Sequence, residues 1–357
     1  MISAKLLALV RCPACHGALA GDPSALTCQS CGRQYGGPSA DFLDLRPHES
    51  FEERTKYLDE ALHADARHER VSPPFLGSKI RNDMLRAFLA PRPGDLVVDL
   101  GCGSGRALLW NRDWQAQAVG IDISPFFARE ARQAVDLLLG DLRRLPFADA
   151  AFTKAYSLDV LEHLSPEALR GMLAEAARVL APGGQLFVYT HVRKNARIAR
   201  GLRWINRLAQ RLDRMGIIDL HQEHLRKSDH LNPLADIPEL RRVAAGTGFR
   251  IRRIRYYTPL VGGFVENILA RMAEKHLARR AQGSASAMSD EDALKAARAE
   301  GKARVARSAP TRAALWMLTM AMKLDLVLFG RIESGPFFAL LERQAETESQ
   351  IAAGPRR

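Results

Sequence analysis

Cysteine is scarce in this chain of 357 residues: there are five, and four of them fall within the first 31 positions. That distribution excludes a disulfide framework spread through the fold. Nor is there an apolar run of the ~20 residues that a membrane-spanning helix needs. The nearest approach, 313–329, is too short and carries Lys323 and Asp325 inside it. The opening MISAKLLALVRCPACHG has a brief apolar run that leads straight into cysteines. It lacks the apolar length and small-residue cleavage site of a secretory signal. These absences predict a cytoplasmic protein with reduced thiols. Acid is also in deficit, with 40 Asp and Glu against 52 Lys and Arg for a net charge of +12. The excess predicts an anionic partner (nucleic acid, membrane surface or acidic substrate) without choosing among them. Apolar content of 47% is that of an ordinary globular protein.

The four clustered cysteines form two C-x-x-C knuckles, Cys12/Cys15 and Cys28/Cys31, twelve residues apart. That spacing suits a tetrahedral four-thiolate zinc ribbon, and four thiolates leave no open coordination position, so the metal is expected to be structural. His16 is then a bystander. The fifth cysteine, Cys102, lies in a glycine-rich stretch.

That stretch, Val97 to Arg106, reads VVDLGCGSGR. Its apolar residues suit a buried parallel strand, and its glycines at 101, 103 and 105 suit a sharp turn with close backbone approach to a ligand. A glycine turn alone is weak evidence. Asp122, at the end of a second apolar run VGIDI and twenty-one residues beyond Gly101, is placed to hold a ribose diol. Then come Gly140-Asp141-Leu142, the run Ala155 to Leu164 with Asp159 and Glu162-His163, and Arg178 to Val188 around Gly183-Gly184.

This ordered series resembles the class I S-adenosylmethionine (SAM) methyltransferases, particularly the small-molecule branch that includes the quinone C-methylases. The resemblance covers roughly 94–257. It implies an α/β fold: a Rossmann-like, seven-stranded sheet with helices on both faces and an antiparallel last strand. The cysteine segment resembles the small zinc-binding domain of the tRNA-methyltransferase activator subunit family, here covalently attached to a methyltransferase. By resemblance, Asp99, Gly101, Gly103 and Gly105 surround the methionine part of SAM. Asp122 and Ile123 lie at the ribose, Asp141 faces the adenine amino group and Leu142 its ring, and Asp159 sits beside the sulfonium or the acceptor.

Several absences narrow the chemistry. The glycine loop lacks the last glycine of G-x-G-x-x-G, which weighs against a nicotinamide cofactor. Ser157-Leu158-Asp159-Val160 is unlike the N/D-P-P-Y motif that accompanies amide or exocyclic nitrogen methylation. With four cysteines on metal and Cys102 in the cofactor loop, no thiol is left for cytosine C5 chemistry. A guanine-N1 rRNA methyltransferase family also joins a zinc ribbon to this fold, but its ribbon ends in histidine where this one has Cys31. For a general base, His191 is best placed, because strand ends open onto the site. His163 belongs to an E-H-L sequence in which it is often structural, and His221 and His224 are the alternatives.

The chain divides into a ribbon (1–47), a helical linker or lid (48–93), a methyltransferase domain (94–344) with helical insertions at about 192–236 and 258–334, and a disordered tail (345–357). Strands are expected at 96–100, 118–122, 136–139, 152–158, 184–190 and 250–257, with a last one at 335–343. The first insertion sets Arg193, Arg197, Arg200, Arg207, Arg211 and Arg214 in phase with Trp204, beside an apolar face of Ile198, Leu202, Ile205, Leu208, Leu212 and Met215. Such a helix suits an anionic membrane or nucleic acid phosphates, or a core with a solvated basic face. Its second half, 219–230, reads as a substrate-side loop rich in histidine and acid. The expectation is a SAM-dependent methyltransferase for a small, lipid-like or apolar acceptor, with peripheral contact to the inner membrane surface through 195–215 and 313–329. RNA methylation through the ribbon and basic helix is the alternative, and a non-catalytic SAM-binding subunit the third.

Overall fold

The computed structural model describes residues 2–37, 39, 41–47, 71–192, 199–218, 220, 230–231, 233–257, 259–273, 275–276 and 308–345. The expectations for 48–70, 193–198, 221–229, 277–307 and the tail beyond 345 lie outside these residues.

The ribbon starts with α1 (Ala4–Leu9), capped by Ser3, whose hydroxyl accepts from the Leu6 N–H. Its small sheet runs β1 (Leu19–Asp22), β2 (Ala25–Cys28) and β3 (Gln34–Tyr35), antiparallel throughout. The chain then leaves the ribbon and forms β4 (Leu43–Asp44), which pairs in parallel with a strand of the main sheet.

Next come α2 (Leu76–Leu89), β5 (Leu96–Leu100), α3 (Arg106–Trp110), β6 (Gln117–Asp122), α4 (Arg129–Ala134), β7 (Asp136–Leu139) and β8 (Phe152–Leu158). They are followed by α5 (Pro166–Val179), β9 (Leu180–His191), α6 (Ala199–Arg214), α7 (Ile237–Gly246), β10 (Phe249–Tyr256), α8 (Pro259–Phe264), α9 (Ala309–Phe329) and β11 (Pro336–Arg343). The sheet order is β10-β11-β9-β8-β5-β6-β7-β4. β11 runs antiparallel to both its neighbours, as expected of the last strand. The seven expected strands are all present, and β4 makes an eighth on the β7 edge. Two backbone residues suffice for it, because β7 would otherwise present an unpaired edge.

Successive residues of the buried strands feed opposite faces. Val98, Ile121 and Leu138 enter a core shared with Leu169, Met172 and Leu173 of α5. Val97, Leu137 and Leu139 enter a second core with Ile80 and Leu85 of α2, and with Met322 and Leu326 of α9. The first core also contains Leu6, Val10, Leu26, Tyr35 and Leu43, so the ribbon is packed against the main sheet. Polar contacts fix it there: the Ser3 hydroxyl donates to Asp136 at 2.6 Å, the Arg11 N–H to the Pro146 carbonyl at 2.9 Å, and the Leu45 N–H to the Leu139 carbonyl at 2.9 Å.

Local sequence accounts for the framing helices. Ser165 caps α5 by accepting from the Ala168 N–H, with Pro166 at the first helical position. β9 starts at Leu180, earlier than the expected 184. Leu180 pairs with Phe152, and the register then jumps to Gln185 opposite Lys154, so Ala181 to Gly184 bulge out, with Gly183 at φ +76°.

α6 buries Ile205 and Ala209 against Ile218, Leu220 and Ile268, with Leu208 and Leu212 packed around them. Met215, expected on that apolar face, is exposed because α6 has ended at Arg214. Arg207, Arg211 and Arg214 face solvent, as does Trp204 at 66% exposure. The start of the second helical insertion contains a π-helical turn at Val265–Leu269, a distortion that frequently marks functional segments. Among the described residues no helix is long and apolar enough to cross a membrane.

Candidate active site

The glycine loop joins β5 to α3. Gly101, Gly103 and Gly105 all have left-handed backbone, at φ +83°, +53° and +78°, which glycine adopts at little cost. Two of them also permit close packing: a Cβ at Gly101 would lie 2.4 Å from the Val160 side chain, and one at Gly105 2.7 Å from Ala131 Cβ. At Gly103 a Cβ would meet nothing within 4 Å. The loop is therefore open on that side, a cradle into which a ligand can approach the backbone.

Asp122 ends β6 and faces this loop. Its carboxylate accepts from the Gly103 N–H at 2.7 Å and the Ser124 N–H at 2.8 Å. Burial raises its pKa, and these N–H donors oppose the rise. Ile123, half-buried, follows it. Asp99 is 2% exposed, in register between Gly120 and Tyr156. Burial, with the charge of Asp122 adding to it, pushes its carboxyl well above the usual range. Cys102 is buried, and burial together with the charges of Asp99 and Asp122 raises its thiol well above its ordinary value. A thiol held protonated in this way cannot serve as a nucleophile. Asp141 is buried after β7 and is held by Arg143, whose backbone N–H and Nε donate to its oxygens at 2.9 and 3.0–3.1 Å. Leu142 beside it packs partly against the core.

The second half of the site lies after β8 and at the end of β9. Asp159 is exposed and sits at φ +56°, a left-handed conformation that costs a non-glycine residue about 1 kcal/mol or more and clusters at functional sites. Its Oδ2 lies 3.6 Å from Nε of Arg81, which projects from α2. Burial works against the Arg81 charge, but Asp159, Tyr189 and Glu266 nearby outweigh it and raise the pKa. Burial raises Glu266, in the π-helical turn, against the opposing pull of Arg81. Tyr189 and Tyr257 stand edge to face, with centroids 6.1 Å apart. Thus α2 and the π-helical turn after α8 bring side chains over the strand ends.

His191 closes β9. Its Nδ1 lies 3.9 Å from Glu162 Oε1, and its ring centroid is 5.2 Å from that of His230. His163 stands edge to face with His230 at 4.6 Å. Glu162, 2% exposed, accepts from the Thr190 hydroxyl at 2.8 Å. Burial and the nearby charge of Asp159 push it up to about 8. The structure thus brings together Asp159 and His191, both expected at the site, whereas His221 lies outside the described residues. Sequence reasoning missed Glu162, Arg81 and Glu266 as site residues and did not connect His163 with His230. The signal for the first was an acid directly before the histidine of a recognised motif.

In the ribbon, Cys12 Sγ lies 3.7 Å from Cys31 Sγ, and Cys15 Sγ 3.5 Å from Cys28 Sγ. All four thiols offer ligand atoms within 4.8 Å of one another. A tetrahedral ion with metal–sulfur distances of about 2.3 Å sets its sulfurs roughly 3.8 Å apart, so the set fits a metal without rearrangement. The Cys31 N–H directed at Cys28 helps to lower that thiol to about 6.

Residues 98–188 match the family described as a methyltransferase domain. The Mus musculus protein named Probable tRNA methyltransferase 9B is 34% identical over 134 residues, covering 36% of this chain and 30% of that protein. Sterol 4-C-methyltransferase strm-1 of Caenorhabditis elegans is 29% identical over 140 residues, covering 35% of this chain and 41% of that protein. The chain spans about a third of the length of the first curated relatives it matches. Among solved structures, phosphoethanolamine N-methyltransferase 2 of Haemonchus contortus superposes with a TM-score of 0.48 at 16% identity, covering 82% of this chain and 59% of that one. The likeness to a methyltransferase domain lies in residues 98–188.

Proposed function

We propose that this chain transfers the methyl group of SAM to a small acceptor with an apolar body, bound under α2, α8 and α9. The observation that carries the reading is the open cradle at Gly103 beside Asp122, inside the stretch that matches the methyltransferase domain. SAM supplies an electrophilic methyl group on a sulfonium. We assign Asp99 and Gly101, Gly103 and Gly105 to its methionine part, and Asp122 with Ile123 to the ribose. Asp141 and Leu142 take the adenine, and Asp141 must share its carboxylate with Arg143 to do so.

On the acceptor side, Asp159 places negative charge next to the reacting centre, and Arg81 holds it there. Catalysis of this kind is chiefly alignment of two partners in a site closed to water. An acceptor hydroxyl or activated carbon needs its proton removed, and His191 at the end of β9 is the group we assign to take it. His221 is the second choice from sequence. The four cysteines we assign to a structural zinc ion, and we treat 1–47 and 94–344 as functionally joined. The apolar acceptor is supported by Tyr189 and Tyr257 at the strand ends and by the apolar residues α9 leaves exposed, among them Trp316, Leu324 and Val327. Peripheral contact with an anionic membrane through α6 and α9 is part of the same reading.

One specific observation favours a second reading. Arg207, Arg211 and Arg214 form an exposed basic face with Trp204, the combination that grips phosphates and stacks bases, and one relative is named as a tRNA methyltransferase. Calorimetry with SAM followed by incubation of a cell extract with isotopically labelled SAM tests both. Label in the lipid or small-molecule fraction supports the first reading, label in RNA supports the second, and no SAM binding by the wild type removes the enzyme altogether.

A further inference from the structure

We propose that Glu162, His163 and His230 form a second metal site, for a divalent transition-metal ion, on the acceptor side of the sheet. The proposal depends on the methyltransferase reading only for what the ion would do there.

Each of the three residues offers one ligand atom, and the three atoms lie within 4.8 Å of one another. They come from separate parts of the chain. Glu162 and His163 lie in the 3-10 turn after β8, and His230 precedes α7. Convergence of two imidazoles and a carboxylate from segments nearly seventy residues apart is a product of tertiary folding, unlike neighbouring acids on a surface loop.

Two further observations point to a cation. The Thr190 hydroxyl, itself buried, donates to Glu162 Oε2 at 2.8 Å and so fixes the carboxylate, leaving Oε1 as the second oxygen, 3.9 Å from His191 Nδ1. A hydrogen bond that orients a metal-binding side chain is a recurring feature of built metal sites. Charge balance is the second. Glu162 lies close to the Asp159 carboxylate, and the guanidinium near both, Arg81, is paired with Asp159. At 2% exposure Glu162 is ionised only beside a compensating charge, and a divalent ion bound there supplies one. Mixed imidazole and carboxylate ligands suit zinc, manganese, cobalt, nickel or ferrous iron, whereas the ribbon's four thiolates are a softer set. Three protein ligands leave coordination positions open. With His191 on one side and Asp159 close by, an acceptor oxygen could bind in such a position and be polarised.

Cobalt(II) separates the two sites by spectrum. Full-length protein is stripped with chelator and titrated with cobalt, and the bound metal is counted by elemental analysis. The expected result is two equivalents: one with the intense near-ultraviolet band of thiolate-to-cobalt charge transfer, the other with only weak visible bands. His230→Ala and Glu162→Gln should each lose the second equivalent and keep the thiolate band. The glutamine variant still accepts from Thr190 and preserves side-chain volume, so it guards against simple misfolding. Thr190→Val should keep the count at two but weaken the second site ~10–100-fold. One equivalent in the wild type, or a second equivalent that survives in both ligand variants, overturns the proposal. Because no SAM is present, failure of the methyltransferase reading would show separately, in the calorimetry.

Discussion

Asp122 and Asp159 stand at equivalent places, each at the C-terminal end of a parallel strand, yet they are held in different ways. Asp122 is clamped by two backbone N–H groups from Gly103 and Ser124, both within a few residues of a loop or turn that the sequence itself specifies. Asp159 is exposed, in a left-handed conformation, and meets the Arg81 side chain from a helix nearly eighty residues earlier. The half of the site we assign to the cofactor is built from local backbone geometry, and the half we assign to the acceptor from side chains delivered by distant helices. A constant reactant needs a fixed cradle. An acceptor that varies among related enzymes is met by elements that can change without disturbing the sheet.

The sharpest way to break this contrast is to remove each acid in turn. Asp122→Ala should weaken SAM binding by roughly 10–100-fold, the cost of losing charge-assisted hydrogen bonds, and calorimetry reads it directly. Asp159→Asn should leave SAM affinity within about 2-fold while lowering turnover of the acceptor by 10-fold or more. If the two substitutions affect SAM binding alike, the division of labour is wrong.

The ribbon is the next largest effect. The segment 1–47 contributes β4 and several residues of the first core, so losing the zinc we assign to the ribbon should be felt in the main sheet. Cys31→Ser, or chelation of the wild type, is expected to lower the thermal midpoint by about 5 °C or more, with loss of SAM binding following the unfolding of the β7 edge. A ribbon that melts on its own, leaving the main transition and SAM affinity in place, would show that the shared core is dispensable.

Legibility in the sequence divides along the same line as the two acids. Strands β5 to β8 were readable nearly to the residue, because short apolar runs bounded by glycine and acid are local signals. Asp122 and Asp141, the acids we assign to the cofactor, are marked by the same local signals. The acceptor side was not. Arg81 sits in an ordinary amphipathic helix, and nothing in its neighbours says that it will reach Asp159. His230 was seen only as part of a histidine-rich loop, and its packing against His163 and His191 depends on the path of the chain between β9 and α7. The eighth strand was missed because Leu43-Asp44 has no periodicity to detect: two residues are recruited by the open edge of β7.

A smaller effect tests how the cofactor half holds its charge. Burial raises the Asp99 carboxyl well above the ordinary range, with Asp122 adding to the shift and Tyr156 opposing it. A raised native value means that the unfolded chain ionises first. The associated stability is therefore full below the ordinary carboxylate range, and it is lost as pH rises through the raised native value. Asp99→Asn carries no such charge. It should stabilise the ligand-free protein by about 1 kcal/mol or more at pH 8 and by much less at pH 4, while weakening SAM binding. Scanning calorimetry across that range checks the sign; a variant less stable than wild type at pH 8 would mean that the ionised carboxylate is better compensated than its surroundings suggest.

The smallest structural effect, and the one that discriminates between acceptors, concerns α6. Its buried face, Ile205 and Ala209, is separate from Arg207, Arg211 and Arg214 on the solvent side. Changing all three arginines to alanine should therefore shift stability by no more than ~0.5 kcal/mol per site. If RNA is the acceptor, the same variant should bind it more weakly and with a shallower dependence on salt, the slope falling by up to about 0.7 for each lost phosphate contact on a single strand. If the acceptor is a small apolar molecule, turnover should be unchanged, because none of these side chains belongs to the group around Asp159, His191 and Tyr189. A measurement of salt slope and turnover on one triple variant thus distinguishes a basic face that works from one that is only solvated.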